Sequence, residues 1–549
     1  MSASSKKKLR REQEAAKLTE RQLTEQKEAK KLNLYTTLFV TVLSLLLVVA
    51  LVVGIFTTVQ NTGVRERKTI AVTVGNHEVS NAELGYFYVD AINTFMSQYG
   101  SYASMFGLDT TKPLNEQYLD EENGLTWADD FLNSAKSTAK TVYALNDAAE
   151  AAGYSLPQDK LDEIELTVSN INAYAVLYGY PDADTYMKAM YGKGANLESY
   201  KDYYVKKVIA DAYYSAYGKS LSFSEDELRA ADAENPINYN AYSFNYYYLA
   251  SSRYLEGGTV GEDGTTVTYS DEEKAASVTA CEEAAKALCD GTITSGEQFN
   301  KAINRLSINA ETEIEASSVA CDDYLYSSVM TVLSDWVTDE SRQEGDLTYI
   351  PSTSTSTDED GNEVVTTNGY YVIFFRGSSD NIFPLVNARH ILVAFEGGSY
   401  DSTTGVTTYT DEEKAAAHAE AEELLAQWKS GEATEDSFAA LANEKSDDAG
   451  SNTKGGLYTD IYPGQMVANF EDWVYADRKT GDTDLVESER GVHIMYFVGE
   501  SETNYRDFMI KTQMISEDTT EWFNALLEAA TVVDGDTQYI NKGLIISSN

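Results

Sequence analysis

The 549-residue chain is predicted to be an α+β protein: one N-terminal transmembrane helix, a mostly helical region, and two copies of a small domain that mixes strands and helices. Three observations predict it. Residues 35–58 form one uncharged apolar run, YTTLFVTVLSLLLVVALVVGIFTT. Residues 81–235 repeat apolar side chains at helical spacing. The segment YSDEEKAA at 269–276 returns as YTDEEKAA at 409–416, and each copy leads to an aromatic strand. The 42 Lys and Arg stand against 88 Asp and Glu, a net charge of −46, which excludes a nucleic-acid surface built from clustered cations. Three cysteines exclude a disulfide scaffold or a zinc ribbon, and four histidines leave little for a metalloenzyme.

The apolar run suits one bilayer crossing of about 20 residues and exceeds a signal-peptide core of about 7–15. No cysteine lies near it for lipid attachment. Residues 1–34 carry ten Lys or Arg against five Glu, so this basic segment is expected in the cytoplasm, with everything after the span outside it. Residues 70–79, IAVTVGNHEV, read as two short strands around a Gly75-Asn76 turn. Ser80 and Glu83 have the spacing of a capping box that opens a helical domain over 70–235, as do Ser224 and Glu227 for a later helix; Asn235-Pro236 closes it.

The duplicated domain spans 239–378 and 385–500. Gly291 corresponds to Gly431, Phe299 to Phe438, Asp335-Trp336-Val337 to Asp472-Trp473-Val474, and GYYVIFFRG at 369–377 to GVHIMYFVG at 491–499. The spacing drifts mainly through an insertion, the loop PSTSTSTDEDGNEVVTTN at 351–368, whose DEDGNE breaks the calcium-loop pattern and reads as a hairpin turn. The repeated helix presents Ala421, Leu424, Leu425 and Trp428 at core spacing, with Cys281, Ala284, Ala285 and Leu288 as counterparts. Cys281 is therefore a core residue. Residues 501–549 form a tail with an amphipathic helix, expected to pack on the helical domain because a lone helix is marginal.

The second copy resembles the parvulin family of peptidyl-prolyl cis-trans isomerases. The resemblance rests on NARHILV at 387–393, FAALANEKSDDAGS at 438–451, KGG at 454–456, GQMVANFEDWVY at 464–475 and GVHIMYF at 491–497. It implies a small antiparallel sheet flanked by helices. It also implies a joined histidine network of His390 and His493, with Ser488 orienting an imidazole and Asp448 beside the twisting bond. Met466 and Phe470, read as i and i+4 on one short helix, would form the proline pocket with Tyr458 at its rim. The whole exterior resembles membrane-bound or periplasmic parvulin chaperones, which implies a chaperone role for the helical domain.

The chemistry this requires is modest. An X–Pro bond rotates over a barrier of about 18–20 kcal/mol and no bond breaks, so neither nucleophile, metal nor cofactor is needed. The site need only favour the twisted amide over the planar one. The expected partners are newly exported or unfolded chains containing X–Pro bonds. Phosphate-specific substrates are excluded, because EGGSYDSTTGVTTY at 396–409 holds no Lys or Arg. Arg490 departs from the family, which has a small polar or aromatic residue there more often. In the first copy Tyr247 and Tyr371 stand at the histidine positions, Asn309 at that of Asp448, and Val329 and Leu333 at those of Met466 and Phe470. That copy is expected to keep the fold and lack the site. The expected function is thus a membrane-anchored, extracytoplasmic foldase, the alternative being a non-catalytic chaperone or scaffold. No HExxH, P-loop or GxSxG motif offers another chemistry.

Overall fold

The structure, a computed structural model, describes residues 62–546 apart from 264, 308–316 and 359, together with 3–13, 41–50 and positions 24, 25, 27, 31 and 38. Most of the expected membrane span 35–58 lies outside the described residues; residues 41–50 are helical and exposed. Among the described residues no helix is long and apolar enough to cross a membrane. The chain divides into two units, Met1–Leu221 with Ser516–Asn549, and Ser222–Ile515.

In the first unit β1 (Ile70–Val74) and β2 (His77–Ser80) pair antiparallel across a Gly75-Asn76 turn, and Val532–Asp534 pairs with the other edge of β1. α1 (Asn81–Tyr99) starts where the Ser80 hydroxyl accepts the Glu83 N–H. Glu83 does not close the capping box: its carboxylate takes the Tyr143 hydroxyl and the Lys206 ammonium, each at 2.6 Å, which ties α1 to α2 (Trp127–Ala151) and α5 (Leu197–Ser220). α3 (Gln158–Leu177) and α4 (Ala183–Tyr191) complete the helical layer. Its core is aromatic, with Tyr86, Phe87, Trp127, Phe131 and Tyr203 buried together. Trp522, Phe523 and Leu526 from the end of the chain pack on that core, Trp522 stacking on Tyr217 at 3.8 Å between ring centroids.

Two expected boundaries move. α6 (Glu225–Glu234) belongs to the second unit, so the helical unit ends at Leu221 rather than at 235. The cause is Arg506, 7% exposed at its side chain, which pairs with Asp232 at 2.5 Å and donates to the carbonyls of Pro236 and Asp380. At the other end, the domain expected to stop at 500 continues, its last strand running to Asn504, and only residues from Ser516 onward join the helical unit.

The second unit holds two four-stranded antiparallel sheets of one topology. The first is built from β3 (Ala241–Ala250), β4 (Val319–Leu325), β5 (Leu347–Thr357) and β6 (Glu363–Ser379), in the order β4-β3-β6-β5. The second uses β7 (Pro384–Ala394), β8 (Leu457–Ile461), β9 (Thr483–Glu487) and β10 (Gly491–Asn504), in the order β8-β7-β10-β9. DEDGNE turns a hairpin as expected, but the rest of the insertion is strand rather than loop, β5 and β6 pairing from Leu347↔Phe374 to Thr357↔Glu363. Its alternating Ser, Thr and Val are strand formers. The repeated motif opens α7 (Asp271–Leu288), which α8 (Gly296–Ser307) and α9 (Thr331–Val337) follow in the first copy, and α10 (Asp411–Ser430) in the second; α7 and α10 each have a full capping box, Ser270 with Glu273 and Thr410 with Glu413. Cys281 is fully buried, its thiol donating to the Leu249 carbonyl, and burial pushes its pKa up to about 11.

Strand alternation gives the second sheet two apolar faces. Ile391, Val393, Ile494 and Tyr496 pack on α10 and α11 (Glu435–Lys445). Ala388, Met495 and Phe497 face the other way, onto Phe470, Trp473 and Val474 of α12 (Ala468–Val474). His390 and His493 share this second face.

Candidate active site

β7 and β10 are central neighbours in their sheet, with Leu392 opposite His493 and His390 opposite Met495. The two histidines are therefore diagonal partners on one face. Their Nδ1 atoms lie 2.9 Å apart and their rings stack at 5.1 Å. Both side chains are buried, at 4% and 5% exposure. The row of polar groups continues at both ends: Ser488 Oγ is 2.8 Å from His493 Nε2, and Asp448 Oδ2 is 2.8 Å from His390 Nε2.

Asp448 follows α11 in a tight turn, where its Oδ1 accepts the Gly450 N–H, so the turn and the histidine contact use different oxygens. Its Oδ2 also accepts the hydroxyls of Tyr458 at 3.0 Å and Ser451. The His390 hydrogen bond, followed by that of Ser451, holds the carboxyl well below the usual carboxylate range. An ionised Asp448 is an acceptor only, so His390 donates through Nε2. His390 Nδ1 then carries a lone pair, His493 donates to it through Nδ1, and the Ser488 hydroxyl donates to His493 Nε2. Burial first, and the repulsion a protonated His390 would exert second, depress the His493 pKa to about 4, so this imidazole is neutral at neutral pH. The hydrogen bonds all point toward Asp448.

Over this row lies a cleft of about 340 Å³ lined by Leu392, Tyr458, Gln465, Met466, Val467, Phe470 and Arg490 together with His390, Asp448 and His493. Phe470 is 2% exposed and stands edge-on to both imidazoles, at 5.4 and 5.6 Å. Met466 does not share a helix with it. Val467 is extended (φ −62°, ψ 144°) as the N-cap of α12, so Met466 belongs to the loop that turns at Pro463-Gly464. The two walls meet through the loop, not through an i, i+4 helical pair.

Against known families, residues 390–499 match the rotamases, in the form described as a PPIC-type PPIASE domain. This chain carries a parvulin-type peptidyl-prolyl isomerase domain. Its sequence is 33% identical over 123 residues to foldase protein PrsA 1 of Listeria innocua, covering 21% of this chain and 40% of that protein. It is 30% identical over 115 residues to foldase protein PrsA 3 of Bacillus anthracis, covering 19% and 41%. A crystal structure of the peptidylprolyl isomerase PrsA from Bacillus anthracis aligns over 27% of this chain and 59% of that one, at 25% identity and a TM-score of 0.17. The chain spans about two fifths of the length of the curated relatives it matches.

Within the parvulin domain, Ser451 had no role assigned from sequence. It is fully buried, 3.2 Å from His390 Nε2 and bonded to Asp448. Its signal was the i, i+3 spacing from Asp448 in a Ser/Asp/Gly turn. Gly456, second glycine of KGG, is required by contact: at φ +69° a Cβ there would lie 2.1 Å from the His390 carbonyl oxygen, and its own carbonyl accepts the His390 N–H. His77 and His418, left without a role, pair with Asp147 and Glu487 away from this row.

The first copy differs from expectation by one residue. Gly369 pairs with Ala250 as Gly491 pairs with Ala394, so Tyr246 and not Tyr247 matches His390. A slip of one position changes the face. Tyr246 lies 6.0 Å from Tyr371 and packs with Val329 and Leu333, whereas Tyr247 packs with the opposite cluster and its hydroxyl accepts from the Arg253 guanidinium. Asn309 lies outside the described residues. Among the described residues no cluster of His, Cys, Asp and Glu could hold a metal ion.

Proposed function

We propose that this protein is a peptidyl-prolyl isomerase and foldase for exported polypeptides, anchored at the membrane by residues 35–58. One observation carries the reading: a buried, oriented row from Ser488 through His493 and His390 to Asp448, lying under an apolar cleft open to solvent. Met466, Phe470 and Leu392 seat the proline ring. The X–Pro carbonyl lies at the polar end beside Asp448 and Tyr458. Planar amide resonance separates charge, and the twisted amide loses that resonance; a cleft that replaces water around the bound amide with apolar walls and fixed dipoles therefore favours the twisted form over the solvated planar one. Proton transfer is unnecessary, and the two histidines hold the shape and polarity of the cleft floor. The uncharged run and the basic segment before it support the anchor and its orientation, with residues 62–546 outside the cytoplasm.

A holding role without catalysis fits the first copy, where tyrosines replace the histidines, and assigns that copy to binding rather than chemistry. The test uses the full chain and Asp448→Asn in a proline-peptide exchange assay. Asp448→Asn removes the carboxylate charge at the end of the row, and loss of nearly all acceleration is expected. Retained activity in a folded Asp448→Asn variant would place the chemistry elsewhere, and an inactive wild-type chain would leave the holding role alone.

A further inference from the structure

Arg490 is exposed, lines the polar end of the cleft and lies one residue before β10, three before His493. Its backbone N–H donates to Ser488 Oγ and its carbonyl accepts the Phe395 N–H, so the main chain holds it in place. Its guanidinium has no hydrogen bond or ion pair among the described residues. The acids that could neutralise it are taken. Asp448 accepts His390, Ser451, Tyr458 and the Gly450 N–H. Glu487 accepts Lys414 and His418, both at 2.9 Å. Glu489 is exposed and does not line the cleft. The positive charge reaches the site: it lowers the pKa of both His493 and Tyr458, though less than burial and the neighbouring groups set them.

We infer that Arg490 determines specificity, selecting X–Pro bonds in which the residue before proline is acidic. This rests on the isomerase reading of the cleft. The proline ring occupies the apolar end, so the carbonyl of the preceding residue sits at the polar end, and its side chain leaves from that end toward the unpaired guanidinium. A carboxylate there meets a free cation whose partner sites are open, on a protein whose net charge of −46 otherwise repels anions. Selection is local and short-ranged, since long-range attraction is opposed. A planar guanidinium matches a carboxylate through two parallel hydrogen bonds, which a lysine could not reproduce.

The experiment measures kcat/KM of the full chain on peptides differing only in the residue before proline, Glu, Gln or Lys, at low and at physiological salt. Binding of the same peptides is followed in parallel by NMR shifts of the histidine rings. Glu–Pro is expected to exceed Gln–Pro by about two- to fivefold at low salt, as for one exposed ion pair, and Lys–Pro to fall below Gln–Pro by a similar factor. In Arg490→Gln the Glu:Gln ratio should approach one, and in Arg490→Glu it should invert. Equal rates for the three peptides, or a Glu:Gln ratio unchanged in Arg490→Gln, would overturn the inference while leaving the isomerase reading intact. Charge-selective binding that depends on Arg490 but brings no acceleration would do the reverse.

Discussion

The Nδ1 of His390 lies 2.9 Å from the Nδ1 of His493, so one imidazole must offer a lone pair where the other offers a proton. Both cannot be cations in this geometry. His493 has its pKa lowered from 6.5 to about 4, chiefly by burial. A folded value below the unfolded one means that the unfolded chain binds the extra proton first. The stability is present in full above about pH 6.5 and is lost as pH falls toward 4, a change of about 3 kcal/mol for this group. Urea unfolding of the second unit between pH 7 and 4 should show that loss, and His493→Gln should flatten it. An equal pH slope in the variant would assign the loss to other groups.

The two cleft walls should separate binding from stability. Met466 is a partly buried loop residue, so Met466→Ala should lower kcat/KM by about tenfold with little change in the unfolding midpoint. Phe470 is core, and Phe470→Leu should lower both, costing about 1–2 kcal/mol of stability. Unaltered kcat/KM in a folded Met466→Ala variant would show that the proline ring seats elsewhere.

Gly456→Ala should displace His390, because its Cβ would meet the His390 carbonyl oxygen at 2.1 Å. A loss of more than about 2 kcal/mol and of most activity is expected. Gly464 also has a positive φ, +85°, but a Cβ there meets nothing within 4 Å, so Gly464→Ala should cost only about 1 kcal/mol of backbone strain. Equal thermal shifts for the two variants would remove contact as the cause.

Trp522→Ala should destabilise the helical unit by about 2 kcal/mol, since the ring stacks on Tyr217 at 3.8 Å and packs on the core. Trp522→Phe should restore most of it. Differential scanning calorimetry would resolve the effect as a shift of one transition only; a shift in neither transition would make the terminal helix an independent appendage.

Local patterns carry far in this chain. The duplicated YSDEEKAA and YTDEEKAA motifs, the alternation in GVHIMYFVG and the helical spacing of Ala421, Leu424 and Trp428 are set by neighbours a few residues apart, and backbone geometry turns them directly into capped helices and two-faced strands. His390, His493, Ser488 and Asp448 could be named together because each belongs to a short motif on such an element, and the sheet brings them within hydrogen-bond distance. Ser451 lacked a role because only folding shows that a turn hydroxyl points at His390.

What the sequence determined by itself was the inventory: strands, helices, the repeat, and the residue types of the cleft. Three things were decided only in the tertiary structure. Tyr246 rather than Tyr247 replaces His390, because face depends on pairing register and register on the partner strand. Met466 leaves the helix of Phe470, because the cap of α12 falls at Val467. The helical unit ends at Leu221, because Arg506 binds Asp232 across 274 residues of chain. Each depends on contacts between segments far apart in sequence, and local periodicity carries no record of which distant side chain will complete an ion pair or set a register.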